Sequence, residues 1–430
     1  MRSRVFPSAE ETTSKRGFWS RLGPGLVTGA ADDDPSGIAT YSQVGARFGH
    51  SILWTALFSF PLMVGIQTVS ARIGRVTGRG LAANIRRYYP PWLLHSLVLL
   101  LLVANTINIA ADIGAMGAAL KLLIGGSAHW YAIAFGTVSV VLQTFVPFPR
   151  YAPLLKALTL ALLAYVATVF VVDVPWREVL FQTIVPSLSF DADYLVAVVA
   201  VFGTTISPYL FFWQASQEVE EQRAAPGDEP LVAAPEQAGE QLRRIKVDTV
   251  IGMGFSNLVA FFIMLTAVVT LHLKGVTDIA TSAQAAEALR PVAGEFAFVL
   301  FAGGIVGTGL LAVPVLAGSA AYAVAEALRW RAGLGLELWQ AKGFYTIVAV
   351  ATGLGVALNF TSIDPIKALF WSAVINGIVA VPVMVVMVLM ASRGDIMGDF
   401  TLTRRLAALG WLATGAMAMI VFLMLGTMVL

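Results

Sequence analysis

The sequence predicts an all-α membrane protein of eleven transmembrane helices, with helices 1 and 6 discontinuous. Three observations carry that reading. Of 430 residues, 57% are hydrophobic and only 13% charged, and mean hydropathy is +0.77. A water-soluble domain of this length needs far more charge to cover its surface. Apolar runs of about 18 or more residues recur along the whole chain, the length that crosses a bilayer as a helix. Two of these runs are broken by Pro and polar residues at matching places in the two halves of the chain.

The spans fall at roughly 22–46, 52–71, 93–122, 130–147, 151–173, 195–214, 247–273, 293–327, 343–359, 363–391 and 408–430. The eighth exceeds what a bilayer needs, so its end projects into water or bends. Residues 1–21 are polar and charged with no apolar core behind them, and they read as a solvated tail instead of a cleavable signal. Residues 22–430 then form one membrane domain. Its longest connector, about 215–246, contains Gln217-Glu218-Val219-Glu220-Glu221-Gln222-Arg223 and then a Pro/Ala/Glu-rich stretch. This reads as a flexible cytoplasmic loop, with room for a short helix near Arg243-Arg244-Ile245-Lys246.

Orientation follows from the basic residues. With the N-terminus in the cytoplasm, all 28 Lys and Arg lie on the inner side except Arg47, Lys121, Arg177, Lys274, Arg290 and Lys367. The reading is a multi-pass cell-membrane protein with its C-terminus outside. Trp92, Trp130, Trp176 and Trp330 fall near span ends, where indole rings anchor at the interface. His50, His95, His129 and His272 also lie near span ends and read as interfacial or solvated. The lipid bilayer is the partner that composition implies, with no nucleic acid, and nothing sets an oligomeric state. There are no cysteines, which excludes disulfides, thiolate metal sites and cysteine nucleophiles. No Gly-rich phosphate loop, His-x-x-x-His pair or Ser/His/Asp constellation points to an enzyme or a bound cofactor.

Span one contains Gly29-Ala30-Ala31-Asp32-Asp33-Asp34-Pro35-Ser36-Gly37-Ile38. Asp34 lies about 18 Å deep at 1.5 Å per helical residue. One ionised group at mid-bilayer costs at least about 2.5 kcal/mol, and three adjacent ones are not tolerated facing lipid. Segments 22–31 and 38–47 are each too short to cross alone, so 32–37 reads as a break within one span. Pro35 removes a backbone donor and Gly37 relaxes the chain. Such backbone survives at membrane depth only where it lines a cavity or is buried in protein.

Span six carries Phe202-Gly203-Thr204-Thr205-Ile206-Ser207-Pro208-Tyr209-Leu210. A lone Pro in a membrane helix is commonly a kink and nothing more. Here it sits in the first span of the second group of five, as the acidic break sits in the first span of the first group. Paired breaks of this kind point to an inverted-repeat transporter that binds its substrate between them.

At Gly23-Pro24-Gly25, Asp34-Pro35, Ala39-Thr40, Gly45-Ala46-Arg47-Phe48-Gly49, Ser51-Ile52-Leu53-Trp54 and Thr77-Gly78-Arg79, the chain resembles the Nramp family of divalent-metal transporters. Arg243-Arg244-Ile245-Lys246-Val247-Asp248 is similar to that family's entry into its seventh helix. The resemblance implies a LeuT-type fold, an inverted 5+5 repeat plus one extra helix. The family's Asp-Pro-Gly-Asn reads Asp34-Pro35-Ser36-Gly37 here, so the metal-binding Asp is kept and the Asn is lost. The family's span-six Ala and Met, whose carbonyl and sulfur bind metal, fall at Thr204 and Ser207. Its Pro-His falls at Pro208-Tyr209, and a second His at Gln214. Of the acidic residues on the family's proton route, Asp112 matches one, while others fall at Asn105 and Ala115.

These departures imply a harder site. Thioethers favour soft transition-type ions, whereas carboxylate, hydroxyl, carbonyl and water suit magnesium, calcium and manganese. The implied ligands are Asp34, the Gly37 region, the Thr204 carbonyl and Ser207. Gly37 adds room, which suits an ion that keeps several waters. The pattern resembles the Nramp-related magnesium transporters, with magnesium as cargo and manganese also accepted. Loss of both span-six histidines implies import without proton coupling.

Around this set, Asp33, Asp112, Tyr209, Gln214 and Asn376 are candidates for the pathway or for support of the ligands. Asp32 and Asp33 point away from Asp34 on a helix, toward a vestibule, a donor on another helix or a half-helix N-terminus. Ser207 either ligates or bonds the carbonyl one turn back. Asn376 either joins helices or lines the pore, and Asn105, Asn108 and Asp112 share one span as a polar stripe. Two other readings use the same residues: a proton-coupled manganese/iron transporter of Nramp type, and a LeuT-fold organic-solute symporter. The acidic triplet disfavours an anionic substrate group at the break.

Overall fold

The computed structural model describes residues 23–146, 150, 159–361 and 363–429, and every regular element among them is helical. The tail expected at 1–21, the end of the span expected at 130–147, the start of the one expected at 151–173 and Lys156 lie wholly or partly outside the described residues. The first half comprises α1 (Pro24–Asp32), α2 (Pro35–Phe48), α3 (Trp54–Thr77), α4 (Leu81–Tyr88), α5 (Pro91–Ile124), α6 (Ala128–Phe145), α7 (Leu163–Val171) and α8 (Trp176–Ile184). The second comprises α9 (Ala192–Thr205), α10 (Pro208–Ala224), α11 (Ala238–Thr270), α12 (Ser282–Glu287), α13 (Ala297–Leu328), α14 (Lys342–Leu358) and α15 (Pro365–Ala391). The last helix is α16 (Arg404–Val429).

Among the described residues, seven helical stretches are long and apolar enough to cross a membrane, with α9 and α10 taken as one. The chain is thus an all-α, multi-pass membrane protein. The other expected spans coincide with the α1–α2 pair, α6, α7 and α14, which are shorter or less apolar.

Both expected interruptions are present. α1 ends at Asp32 and α2 restarts at Pro35, while α9 ends at Thr205 and α10 restarts at Pro208. In each case Pro takes the first helical position, where its missing N–H costs nothing and its fixed φ suits a helix start. The packing has the pairing an inverted repeat requires. α1 lies on α11 as α10 lies on α3, and α5 packs on α15 as α13 packs on the Thr159–Leu162 turn. Glycines permit the first two contacts. A Cβ on Gly29 would fall on the Gly252 carbonyl, and one on Gly74 would fall on the Ala215 carbonyl.

The connector expected at about 215–246 is shorter than its composition suggests. α10 runs to Ala224 and α11 begins at Ala238, so both expected loop ends are helical. Glu, Gln and Arg depress hydropathy yet are strong helix formers, so these helices continue past the apolar zone. The remaining segment is pinned to α3: Leu231 and Val232 donate their amides to the carbonyls of Arg75 and Val76, at 3.4 and 3.2 Å. The buried Arg75 guanidinium pairs with Asp228 at 2.8 Å.

Candidate functional site: a polar gap between two broken helices

Asp34 is the N-cap of α2. Its Oδ1 accepts from the Gly37 amide at 2.7 Å and the Ser36 hydroxyl at 2.6 Å. Its Oδ2 accepts from the Asn108 side-chain amide of α5 at 3.0 Å. The same Asn108 amide reaches Asp112 at 3.2 Å, and Asn376 of α15 donates to the Asn108 carbonyl oxygen at 3.2 Å. Asp34, Asn108, Asp112 and Asn376 thus form one buried chain linking three helices. An ionised carboxylate offers about four lone-pair sites, so these three bonds leave Asp34 able to accept a cation.

The capping role falls to Asp34, not to Asp32 or Asp33, because Pro35 at the first helical position makes the preceding residue the cap. Asp32 and Asp33 turn toward α11, where the Ser256 hydroxyl lies 2.5 Å from Asp32 Oδ2 and 3.1 Å from Asp33 Oδ1. All four carboxylates are buried, and none is ion-paired among the described residues. Uncompensated buried negative charge at this depth requires a bound cation or protons. Ser256 carried no signal in the sequence, since one serine in an apolar helix has many bland explanations. Replacing Ser256 by Ala is expected to lower the stability of metal-free protein by about 1–3 kcal/mol. Thermal unfolding reads this directly, and an unchanged midpoint would remove Ser256 from the account.

The second break supplies carbonyls. The Ser207 hydroxyl donates to the carbonyls of Gly203 and Thr204, at 2.6 and 3.0 Å. The one-turn-back bond is therefore made, and the hydroxyl oxygen keeps its own lone pairs. Gly37 faces this break: a Cβ there would lie 3.2 Å from Thr204 Oγ1 and 3.3 Å from the Tyr41 ring. Thr204 and Tyr41 thus take up the room expected beside Gly37. Tyr209, in the first turn of α10, donates to the Ala31 carbonyl in the last turn of α1 at 3.2 Å. The two breaks are in direct contact.

Gln214 stands apart from this set. It accepts from Gln67 of α3 at 2.6 Å and donates to Thr249 of α11 at 3.1 Å, tying α10 to both neighbours. Asn105 also departs from the expected stripe, bonding the Leu316 carbonyl and Ser319 of α13 at 2.9 and 2.7 Å. It shares a helix face with Asp112 but lies about 10 Å along the axis, which carries it past the gap. Met116, one turn beyond Asp112, was not singled out by the sequence. Its sulfur and the Pro35 ring both pack against Gly309.

Access is asymmetric. A vestibule of about 680 Å³, lined by Gly114, Lys121, His129, Ser282, Asn359 and Asp364, opens at the end of the bundle that carries few basic residues. Next to it a space of about 10 Å³ reaches Ala39, Ala115 and Phe301. That is room for one water at most. At the other end Asp248 of α11 accepts from the Gly25 and Leu26 amides at 2.6 and 3.1 Å, satisfying the first turn of α1. Arg244 pairs there with Glu218 and Glu221 at 2.5 and 2.9 Å. The end opposite the vestibule is closed by these contacts.

Comparisons with known proteins agree with this architecture. Residues 25–427 match the family model described as natural resistance-associated macrophage protein-like. The chain is 28% identical over 388 residues to the divalent metal cation transporter MntH of Acidiphilium cryptum, covering 87% of this chain and 83% of that protein. It is 27% identical over 397 residues to MntH of Klebsiella pneumoniae, covering 91% and 90%. Among solved structures it is similar to the Eremococcus coleocola manganese transporter (TM-score 0.70, 19% identity, 95% of this chain and 87% of that one). The nucleobase-cation-symport-1 transporter Mhp1 in a closed conformation shares the fold more distantly (TM-score 0.57, 14% identity, 95% and 91%). With nearly the whole chain matched and both broken helices in place, this protein belongs to the Nramp family, whose members are transporters and not enzymes.

Proposed function

We propose that the chain is a divalent metal cation transporter that imports magnesium, accepts manganese, and does not require a coupled proton. The observation that supports this best is the donor set at the paired breaks. Asp34, Asp112, Asn108 and the Thr204 and Ser207 oxygens are hard donors, and no sulfur is among the partners of Asp34. The names of the similar proteins support a divalent cation, and manganese in one case. The cargo enters from the vestibule, rests between the breaks, and leaves after the inner contacts of Asp248 and Arg244 separate. An inward electrical gradient favours a doubly charged ion by about 4.6 kcal/mol per 100 mV, which suffices for uptake without a second ion.

A proton-coupled manganese/iron transporter is the second reading, and one observation favours it. The Met116 thioether lies against Gly309 on the same side as the Pro35 ring, and thioethers suit softer ions. Proteoliposomes carrying a magnesium dye and a pH dye separate the two. The first reading expects magnesium uptake that equimolar cadmium leaves unchanged and that produces no matching acidification. Strong cadmium block with acidification that tracks metal entry supports the second reading and defeats the first.

A further inference from the structure

At the end of the bundle that carries most of the basic residues, α4, α10 and the end of α13 line a further, open cavity of about 410 Å³. Arg79, Arg86, Arg223, Arg329 and Arg331 line it, with the Trp330 indole beside them. None of the five guanidinium groups is ion-paired among the described residues. Two carboxylates share the wall, but other donors satisfy them. Glu220 accepts from the Leu334 amide at 2.7 Å and from the Tyr322 hydroxyl. Glu326 accepts from the Ala83 amide at 3.0 Å and the Ser216 hydroxyl at 3.2 Å. Arg86 donates to the Glu326 backbone carbonyl and keeps its remaining N–H groups.

An excess of basic residues at this end is ordinary for a membrane protein. Convergence of five unpaired guanidiniums on one concave space is not explained by that rule, because like charges gain by spreading apart. The backbone of Arg329 adds a second, independent observation. It ends α13 in the left-handed region at φ 62°, the one described non-glycine residue with positive φ. Glycine suits that position best, yet an arginine that lines the cavity occupies it. Strain of this kind concentrates at functional positions.

We propose that this cavity binds a phosphate-bearing polyanion. Arginine forks match phosphate oxygens two at a time, and several forks around one space suit a group with more than one negative charge. A soluble polyphosphate such as that of a nucleotide and the headgroup of an anionic lipid share this chemistry. A ligand there ties α10, the inner half of the sixth span, to α4 and α13.

The test is isothermal titration of purified full-length protein with sodium tripolyphosphate in metal-free buffer. Wild type is expected to bind saturably. The double variant R329G/R331Q is expected to bind weaker by about tenfold or more. Arg329→Gly relaxes the left-handed backbone, so the thermal midpoint should hold. Arg393→Gln, at an exposed arginine paired with Asp395, should leave binding unchanged. A parallel arm measures retention of fluorescent phosphatidic acid, whose phosphomonoester headgroup carries up to two negative charges, by protein in phosphatidylcholine nanodiscs. Tripolyphosphate binding that the double substitution weakens identifies a soluble ligand. Lipid retention alone, sensitive to the same variant, identifies a headgroup. No saturable binding in either arm, or equal binding by the double variant, overturns the proposal.

Discussion

Asp34→Asn is expected to abolish metal uptake while leaving the fold in place. Asparagine equals aspartate as an N-cap, so it keeps the bonds from the Gly37 amide and Ser36 hydroxyl that set the start of α2. What it loses is the charge and, with Oδ2 replaced by an amide nitrogen, the acceptor for the Asn108 amide. Charge-assisted contacts contribute roughly 1.5–3 kcal/mol each, and about 1.4 kcal/mol is a factor of ten, so magnesium uptake should fall about a hundredfold. Asp34→Ala should lose uptake equally, with about 1 kcal/mol of stability besides, because the cap is gone. Uptake by reconstituted protein beside a thermal unfolding curve separates the two effects. Normal magnesium uptake by the asparagine variant would mean that Asp34 serves the helix start alone.

Gly29→Leu is expected to unseat the first span. The backbones of α1 and α11 touch at Gly29 and Gly252, and a Cβ on Gly252 would in turn fall on the Gly25 carbonyl. A leucine therefore meets backbone, which has no rotamer by which to move aside. Overpacking typically costs about 1–3 kcal/mol, and more where the neighbour is rigid. Parting these helices also draws Asp248 away from the Gly25 and Leu26 amides and Ser256 away from Asp32 and Asp33. The combined loss should lower the unfolding midpoint by about 5 °C or more and impair uptake. Gly303→Leu is the control, since nothing lies near a Cβ at that position. Equal midpoints for the two variants would show that the contact at Gly29 is not tight.

How much of this was legible beforehand depended on how local the signal was. The breaks at Asp34-Pro35 and Ser207-Pro208 were readable because Pro and carboxylates inside an apolar run have few tolerable explanations. The helical ends of the connector were not legible, because hydropathy reports the solvent around a helix, not whether the chain is helical. Arg329 gave no warning either, since backbone handedness at a helix end is set by the route the chain takes on leaving it.

Composition and spacing alone determined that this is a multi-span helical protein, which spans are broken, and that Asp34 lies at one break. Those properties rest on the bilayer's intolerance of unpaired polar groups, and that constraint acts residue by residue. Only the tertiary structure decided who meets whom across the gap. Asn108 bridges Asp34 to Asp112, Ser256 serves Asp32 and Asp33, Tyr209 closes on Ala31, and Asn105 is carried off to α13. Such partnerships depend on the depth and rotation of helices far apart in the chain. A one-dimensional pattern does not encode either.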